Sequence, residues 1–405
     1  MLIVKKFGGT SVADKERILN VAKRCIEDYK KGHDVVIVLS AMGKETDRLL
    51  DLVNDISANA SKREMDMLLT TGEQTSVALM AMALSSLGVP AISLNAFQVV
   101  MHTSSAYGSS KIKRIDTDRI RRELDMSKIV VITGFQGVNR YNDYTTLGRG
   151  GSDTTAIALA AALHADKCEI FTDVDGVYTA DPKKVPDASK MSEITYDEML
   201  ELASLGAGVL HNRSVEMAKK YGVPLVVRSS LNNSEGTIIK EEVKMEKLAV
   251  RGVVSDKNTA RIAVIGLKDI PGVAFKLFNH LARYDINVDV ILQSVGRDGT
   301  KDISFTVAKD KVDEAVEIIE RHRTGSLQYQ SLDVEKSVAK ISVVGAGMNS
   351  HAGVAAKMFE ALYDVGVNIK MISTSEIRVT VLIDDQHIEK SLKAVHDKFT
   401  LSDIR

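Results

Sequence analysis

In the first 230 residues, short apolar runs alternate with longer segments of helical spacing. The runs are rich in β-branched residues, as in strands that are buried on both faces of a sheet. Strands are predicted at residues 2–7, 35–39, 91–94, 129–133, 169–172 and 225–228. The segment 63–87 reads as a long helix that is interrupted at Thr71-Gly72-Glu73. Strands that alternate with helices predict an open, mostly parallel α/β sheet.

After residue 240 the pattern changes, because the chain repeats itself. The stretch 261–266 resembles 340–345, and 272–274 matches 353–355 at an offset of 81 residues (353 − 272). Each copy predicts a ferredoxin-like module of order βαββαβ. A charged segment, KEEVKMEK, precedes the first copy and predicts a linker. The predicted divisions are a first domain at 1–243, a linker at 244–258, and two modules at 259–336 and 337–405.

A glycine turn follows the first predicted strand. Lys6-Phe7-Gly8-Gly9-Thr10-Ser11 leads into a charged helix that begins near Asp14. Strand, glycine turn and helix are the layout that places phosphates at a helix N-terminus, although the P-loop pattern is missing. Lys6 could contact a transferring phosphoryl group as a point charge. The same pattern is compatible with a surface lysine beside a tight turn.

A second glycine-rich stretch, TLGRGGSD at 146–153, precedes an Ala-rich run at 156–165 that predicts a helix. Ser152 is the expected N-cap of this helix. A helix N-terminus attracts anions, and the Arg149 fork suits a carboxylate or a phosphate. Asp153 suits a hard cation such as Mg²⁺. A glycine-rich loop with a solvated Arg and Asp is the alternative.

Two further stretches carry candidate chemistry. Glu73 lies beside a helix-disfavouring glycine, where it could hold a substrate ammonium or equally be an exposed helix residue. The loop at 172–184, TDVDGVYTADPKK, has a tyrosine and two lysines that could stack on a base and clamp phosphates. An ordinary surface loop is the alternative for this length. The loop at 172–184 follows a predicted strand end, where open α/β sheets bind ligands.

Composition narrows the functional classes. The net charge of −1 over 405 residues gives no electrostatic footprint for nucleic acid. The apolar runs are too short to span a bilayer, and the N-terminus lacks the apolar core of a signal peptide. Cys25 and Cys168 are the two cysteines, which favours buried thiols in a reducing compartment over a disulfide framework. We therefore expect a cytoplasmic protein that binds neither nucleic acid nor membrane.

Taken together, the motifs resemble those of the aspartokinases over essentially the whole chain. They are KFGGTS (6–11), SAMG (40–43), TTGE (70–73), TLGRGGSD (146–153) and TDVDGVYTADP (172–182). The duplicated part resembles the paired ACT domains of that family. The resemblance implies a three-layer α/β/α amino-acid-kinase domain followed by two ACT domains. It also implies phosphorylation of the side-chain carboxylate of L-aspartate with ATP and Mg²⁺, and feedback inhibition by lysine and/or threonine.

The resemblance also implies roles for individual residues. Lys6 and Asp153 would be catalytic, and Asp153 would act through Mg²⁺. Contacts with ATP would come from Lys6, Phe7, Gly8, Gly9, Thr172, Asp173, Tyr178, Asp181 and Lys183. Contacts with aspartate would come from Ser40, Thr46, Glu73, Arg149, Gly150, Gly151 and Ser152. Lys183 stands where many members have arginine, and Gly208 where some have a lysine, so no role is assigned to Gly208.

Effector binding is expected in the duplicated part, where each copy has a glycine turn before a helix. The candidate residues are Asp269, Gly272, Ala274, Asn287, Val288, Asp289, Gln293, Val354, Asn368 and Ile369. Asn287 and Asp289 are predicted to share one face of a strand. The second copy has Lys370 in place of Asp289, so the two copies should differ, and we expect the first to bind threonine or lysine. The expected assembly is a homo-oligomer through the ACT domains, or an α2β2 complex with a shorter chain starting near Met245.

Two other functions compete with this interpretation. One is a catalytically inactive amino-acid sensor that uses only the duplicated part, which the presence of Lys6, Glu73, Arg149 and Asp153 disfavours. The other is a kinase for acetylglutamate or for UMP. Glu73 opposite Arg149 suits a free amino acid better than it suits acetylglutamate or UMP.

Overall fold

A computed structural model describes residues 1–57, 59–242, 249–294, 296, 299–348 and 351–401. The strands of its first part are β1 (Leu2–Phe7), β2 (Asp34–Leu39), β3 (Ala91–Leu94), β4 (His102–Thr103), β5 (Ile112–Arg114), β6 (Ile129–Thr133), β7 (Gln136–Val138), β8 (Tyr144–Thr146), β9 (Lys167–Thr172), β10 (Glu193–Thr195), β11 (Leu225–Ser229) and β12 (Thr237–Lys240). The helices of this part are α1 (Lys15–Lys30), α2 (Glu45–Ile56), α3 (Lys62–Ser86), α4 (Asp118–Asp125), α5 (Gly151–Leu163), α6 (Tyr196–Ser204) and α7 (Asn212–Tyr221).

Eight of these strands form one sheet in the order β10-β12-β11-β9-β1-β2-β6-β3. Every neighbouring pair is parallel except β11 and β12. Helices α1 and α3 pack on one face, and α4 to α7 pack on the other. The predicted three-layer fold with a mostly parallel sheet is therefore confirmed. A separate four-stranded sheet, β5-β4-β7-β8, precedes α5.

Helix α3 differs from its prediction, because it runs without interruption through Gly72. A Cβ atom at this position would lie 2.8 Å from the Cβ of Ala41. Glycine therefore lets the helix approach the turn after β2, and the packing outweighs the low helix propensity of glycine.

The start of α5 also differs, since Gly150 and not Ser152 is its N-cap. Gly150 has φ 67° and ψ 14°, in the left-handed region that favours glycine, and no side chain caps the helix. Ser152 therefore lies inside the first turn. A Cβ at Gly150 would also come within 2.4 Å of His211, so both the backbone angle and the packing select glycine here.

The second part of the chain contains β13 (Gly252–Lys268), α8 (Val273–Ala282), β14 (Ile291–Gln293), β15 (Thr300–Val307), α9 (Val312–Arg321), β16 (Ser331–Val344), α10 (Val354–Asp364), β17 (Met371–Thr374), β18 (Arg378–Asp384) and α11 (Ile388–Lys398). Its six strands form one sheet in the order β14-β15-β13-β16-β18-β17. Two ferredoxin-like modules thus share a continuous sheet, and each has its own apolar core.

The long strands β13 and β16 each serve both modules. Residues 261–265 pair with 331–335 in the first module, whereas residues 252–256 pair with 340–344 in the second. The second module therefore receives a strand from upstream of the first, and no strand follows α11 up to residue 401. Residues 252–258 were predicted as linker but lie in a strand, because they complete the sheet of the second module.

The second module also packs on the first part of the chain. Its apolar core includes Ala180 and Val185 from the loop that follows β9. Arg251 lies 3.8 Å from the buried carboxylate of Glu198 on α6. The position of the first part of the chain relative to the second module is thus fixed by buried contacts.

Within the described residues, no helix is long and apolar enough to cross a membrane. Cys25 and Cys168 are buried free thiols, and burial raises the pKa of Cys25 to about 12. Met245 lies outside the described residues, so the proposed internal start has no structural description.

Candidate active site

The site forms where the carboxyl ends of four neighbouring strands meet. Phe7 at the end of β1 pairs with Leu39 of β2 and with Phe171 of β9, and Leu39 pairs with Thr133 of β6. The turns that follow these strands are therefore adjacent, as expected for a ligand site of a parallel sheet. Residues from four separate sequence motifs come together at this edge.

Lys6 and Asp153 form an ion pair at the centre of the edge. The Lys6 Nζ lies 2.6 Å from Asp153 Oδ1, and both side chains are largely buried, at 12% and 13% exposure. Asp153 stands in the first turn of α5, where the helix dipole favours a negative charge. The ammonium is thus held facing the site by a carboxylate that phosphate oxygens could replace.

Glu73 on α3 supplies a second carboxylate, which is 3% exposed. Its Oε1 accepts a hydrogen bond from the backbone N–H of Ala41 at 3.2 Å, while its Oε2 has no hydrogen-bond partner in the described part of the chain. Burial without a cation raises the pKa of Glu73 to about 8. Glu73 is therefore not an exposed helix residue, and its free oxygen suits a positively charged ligand group.

A pocket of about 530 Å³ joins these groups. Its lining comprises Lys6, Ser40, Thr46, Glu73, Phe135, Gly148, Gly150, Gly151, Ser152 and Asp153. The structure thus brings together the predicted catalytic residues and the predicted substrate residues, with the exception of Arg149. Phe135 and Gly148 were missed by sequence reasoning. Phe135 follows the Thr133-Gly134 turn with φ 68°, a conformation that the sequence pattern does not reveal.

Arg149 lies beside the pocket and does not line it. Its side chain is exposed, while its neighbours Gly148 and Gly150 both line the pocket. The structure places the residue at the expected edge without showing a contact.

A second pocket of about 640 Å³ lies against the loop after β9. Its lining comprises Val174, Gly176, Val177, Tyr178, Ala180, Asp181, Pro182, Lys184, Leu202, Gly206, Ala207, Val209, Val253, Val254, Ser255 and Leu392. Of the predicted nucleotide residues, only Tyr178 and Asp181 line it. The Tyr178 hydroxyl donates to Asp175 at 2.7 Å, and burial raises the pKa of Tyr178 to about 12.

The other predicted nucleotide residues are distributed around this pocket and the central edge. Gly8, Gly9, Thr172 and Asp173 follow β1 or end β9, which are adjacent strands. The Phe7 side chain is fully buried and stacks on Phe171 at 4.4 Å, so only its backbone is available to a ligand. Lys183 is exposed outside the lining, whereas Lys184, the second lysine of the same loop, lines the pocket.

The predicted effector residues belong to the two ferredoxin-like modules that share the six-stranded sheet. Gly272 and Gly353 are the N-caps of α8 and α10, as the glycine turns predicted. Asn287 is exposed, and it precedes β14, which begins only at Ile291. The expected strand position of residues 287–289 is therefore wrong, although Asp289 N–H still donates to Thr306 of β15.

Charged partners separate the two copies further. Asp289 forms an ion pair with Lys340, whose side chain is buried in the sheet. Asp269 lies 2.8 Å from Lys301. In the second copy Lys370 lies 2.8 Å from Asp384, and the pairing raises the pKa of Lys370. Two acidic groups expected to face an effector ammonium are thus already paired with lysines.

The remaining effector candidates have no charged groups. Gln293 is the last residue of the exposed strand β14, and Ala274 and Val288 are half-buried near the start of α8 and before that strand. The second-copy candidates are Val354, which is buried at the start of α10, Asn368, which is exposed, and Ile369, which is half-buried.

Comparison with known proteins agrees with this geometry. The profile of the amino acid kinase family matches residues 1–229, and that of the ACT domain matches 262–322 and 341–399. An aspartokinase of Bacillus sp. (strain MGA3) is 52% identical over 402 residues, which cover 99% of this chain and 98% of the relative. An aspartokinase of Geobacillus stearothermophilus is 50% identical over 403 residues, again covering 99% and 98%.

The solved structures point the same way. The crystal structure of E. coli aspartokinase III in complex with aspartate and ADP has a TM-score of 0.82 and 25% identity, covering 98% of this chain and 99% of that one. An ionic pocket at the carboxyl edge of the sheet, joined to paired ACT domains, defines a regulated kinase of a small amino acid. The chain belongs to the aspartokinases, allosteric enzymes that phosphorylate aspartate with ATP.

Proposed function

We propose that the pocket between Lys6 and Glu73 transfers the γ-phosphoryl group of ATP to the side-chain carboxylate of L-aspartate. The products are 4-phospho-L-aspartate and ADP, and the reaction is the committed step toward lysine, threonine and methionine. The observation that supports this most is the unpaired, buried Glu73 carboxylate in a pocket whose lining also includes the Lys6–Asp153 pair. One substrate with a cationic and an anionic end matches both groups.

Aspartate would bind with its ammonium on Glu73 and its α-carboxylate on Arg149. The backbone N–H groups at the start of α5, from Gly150 to Ser152, would add donors to that carboxylate. Ser40 and Thr46 line the pocket and would fix the remaining polar atoms of the substrate. The side-chain carboxylate would then face Lys6.

Little acid–base chemistry is needed for this transfer. A carboxylate is ionised near neutral pH and is therefore already a nucleophile. Catalysis rests on holding two anionic substrates in line and on stabilising the transferring group. The Lys6 ammonium would move from Asp153 to the phosphoryl oxygens as the nucleotide enters.

The carboxylate of Asp153 is suited to Mg²⁺. This ion is commonly bound by one or two carboxylates together with substrate phosphates and water. Asp153 lies in the pocket, and its one described ion pair is with Lys6. Asp153 would hold the ion, and the ion would supply further positive charge to the phosphates.

The nucleotide would lie between the Gly8-Gly9 turn and the loop after β9. Tyr178 and Asp181 line the neighbouring pocket, and Thr172 and Asp173 stand at its strand end. Lys183 is exposed on the same loop and would reach phosphate as a point charge. The Phe7 contribution would be limited to its backbone.

Lysine and/or threonine would inhibit through the first ACT module. Gly272, Ala274, Asn287, Val288 and Gln293 surround the glycine turn and the exposed strand β14, where a free amino acid could bind. Asp269 and Asp289 would take part only by leaving their lysine partners, and Val354, Asn368 and Ile369 form the corresponding set of the second copy. Effector binding and substrate binding would weaken each other by the same factor.

Calorimetry would test this effector site. Threonine and lysine are titrated into the wild type, into Asp289→Ala and into Asp310→Ala, where Asp310 is an exposed acidic residue of the same module. Binding that weakens at least fivefold in Asp289→Ala alone would support the site. Unchanged binding of both effectors in all three proteins would remove Asp289 from it.

The exposed edge of the first module also supports assembly through the ACT domains. Phe275 is 71% exposed on α8, and Ile291 is 49% exposed on the edge strand β14. The assembly would be a homo-oligomer, or an α2β2 complex with a shorter chain from Met245. Phe275→Glu should lower the mass measured by sedimentation if this edge is the contact, and an unchanged mass would exclude it.

A coupled assay tests the reaction itself. ADP production is measured with aspartate, acetylglutamate and UMP, each with and without lysine and threonine. We expect turnover with aspartate and with neither of the other two acceptors. We expect lysine or threonine to lower that turnover. Turnover with either of the other acceptors would reassign the substrate.

A further inference from the structure

The turn that carries Arg149 is held by two charged side chains that do not line the substrate pocket. Asp66 on α3 is 1% exposed and accepts three hydrogen bonds. Its Oδ2 accepts from the backbone N–H of Thr146 and of Gly108, both at 2.9 Å, and its Oδ1 accepts from the Thr146 hydroxyl at 2.7 Å. A buried carboxylate thereby fixes the N–H side of the turn.

Arg213 on α7 holds the opposite side of the same turn. Its Nη1 donates to the carbonyl of Leu147 at 3.0 Å, and its Nη2 donates to the carbonyl of Ser110 at 2.9 Å. Ser110 in turn donates its N–H to the Thr146 carbonyl at 2.9 Å. Burial lowers the pKa of Arg213, and in the described residues its guanidinium binds these carbonyls and no carboxylate.

Helix α3 links this turn to the substrate ammonium site. Asp66 and Glu73 are seven residues apart (73 − 66), which is about two helical turns, so both lie on one face of the helix. Helix α3 therefore carries Glu73, which is proposed to bind the substrate ammonium. Through Asp66 it also anchors the turn of Arg149, which is proposed to bind the α-carboxylate. The spacing between Glu73 and Arg149 is set along one rigid element.

We propose that Asp66 and Arg213 are positioning residues that fix the distance between the ammonium and carboxylate sites for aspartate. The inference rests on the proposed substrate roles of Glu73 and Arg149. Two anchors on one turn restrict its movement more than one, because each holds a different backbone group. Loss of either anchor lets the Arg149 turn shift and weakens aspartate binding without removing any substrate contact.

Steady-state kinetics of Asp66→Ala and Arg213→Met provide the first test. We expect the KM for aspartate to rise at least tenfold in each, while the KM for ATP changes less than twofold. Glu123→Gln is the matched control, since Glu123 is a 3% exposed carboxylate of α4 held by Arg119 and Lys128. The proposal would be overturned if the KM values for aspartate and ATP rose equally in these variants, and if that rise followed a loss of melting temperature that Glu123→Gln also shows.

A double-mutant cycle with Arg149→Lys provides the second test. If Asp66 acts through Arg149, Asp66→Ala should raise the KM for aspartate much less in the Arg149→Lys background than in the wild type. Additive effects would show that Asp66 acts elsewhere and would overturn the inference. An Arg149→Lys enzyme with the wild-type KM would instead contradict the proposed substrate site itself.

Discussion

The two ends of the proposed active site differ in which parts of the chain line their pockets. The substrate pocket is lined only by residues of the first part, between Lys6 and Asp153. The second pocket, which we propose for the nucleotide, is also lined by residues 253–255 and by Leu392 from the regulatory part. A movement of the second ACT module would therefore reach the pocket proposed for the nucleotide by direct contact. Among the described residues, its route to the substrate pocket runs through the kinase fold.

The contacts behind this difference centre on Thr179. This fully buried residue follows Tyr178 in the nucleotide loop. Its carbonyl accepts from Val253 N–H at 2.7 Å, and its hydroxyl lies 3.0 Å from Nε2 of the buried His396 on α11. No described residue of the substrate pocket has a comparable hydrogen bond to the regulatory part.

Lys6→Met should have the largest effect, because the Lys6 ammonium is the group proposed to meet the transferring phosphoryl group. We expect kcat to fall about 100- to 1000-fold, since one positive charge at the transferring group is lost. Aspartate binding, measured by calorimetry, should stay within a few fold of wild type. Lys44→Met, an exposed lysine in the turn after β2, is the control. Near-normal kcat would exclude Lys6 from the transfer step.

Arg149→Lys tests the substrate end alone. The loss of a bidentate bond to a carboxylate should cost about 1.5–3 kcal/mol, so the KM for aspartate should rise about 10- to 100-fold. The KM for ATP should hardly change, and kcat should fall less than the KM rises. Arg140→Lys changes an exposed arginine in the loop between β7 and β8 and should be silent. A KM for aspartate within twofold of wild type would count against Arg149 as a substrate residue.

Acid should weaken the substrate end through Glu73, whose pKa is raised to about 8 by burial. The ionised form binds an ammonium, so the KM for aspartate should rise by up to about tenfold for each pH unit below 8. At pH 7 binding should release nearly one proton per site, measured by calorimetry in two buffers of different ionisation enthalpy. Glu73→Gln should abolish that release, and wild-type binding without it would disprove a protonated Glu73.

The same group gives a stability signature in the empty enzyme. Its pKa lies above the ordinary value of 4.5, so the folded state favours the protonated form. The stabilising contribution is full below the ordinary pKa and is lost as the pH rises through about 8. Denaturant titrations should show this loss in the wild type and not in Glu73→Gln.

His396→Ala should have the smallest effect and should act on the nucleotide end. Loss of one buried hydrogen bond to Thr179 would loosen the loop that bears Tyr178, so we expect a KM for ATP about two- to tenfold higher. The KM for aspartate should be unchanged. Lys393→Ala, an exposed change on the same helix, is the control. A larger change in the KM for aspartate than for ATP would contradict the comparison of the two ends.

Much of the kinase fold was predictable because its signals are local. Strands β1, β3 and β6 have the predicted bounds, since each is a short apolar run closed by a glycine or polar turn. The two glycine turns at α8 and α10 were predicted from the repeat. The predicted catalytic and substrate residues, apart from Arg149, come together in one pocket. Most of them lie at the ends of strands or in the turns that follow, whereas Glu73 reaches the pocket from the middle of α3.

The errors have tertiary causes. The low helix propensity of Gly72 predicted an interruption, yet α3 continues because the turn at Ala41 packs against the helix at this glycine. Ser152 is a better N-cap than glycine by type, but His211 and the left-handed angle select Gly150. Residues 252–258 are polar enough to resemble a linker, and they become a strand only through pairing with β16.

The sequence by itself determined six strands of the main sheet, the duplicated module and the residue types that phosphoryl transfer to an amino acid needs. Periodicity, glycine turns and spaced motifs are properties of neighbouring residues, so they can be read along the chain. Only the tertiary structure decided that Glu73 is buried without a cation, that Asp289 is paired with Lys340, and that the regulatory part lines the pocket beside the loop after β9. Burial and ion pairing depend on residues that are far apart in sequence. They decide whether a side chain is charged and whether it is free to bind a ligand.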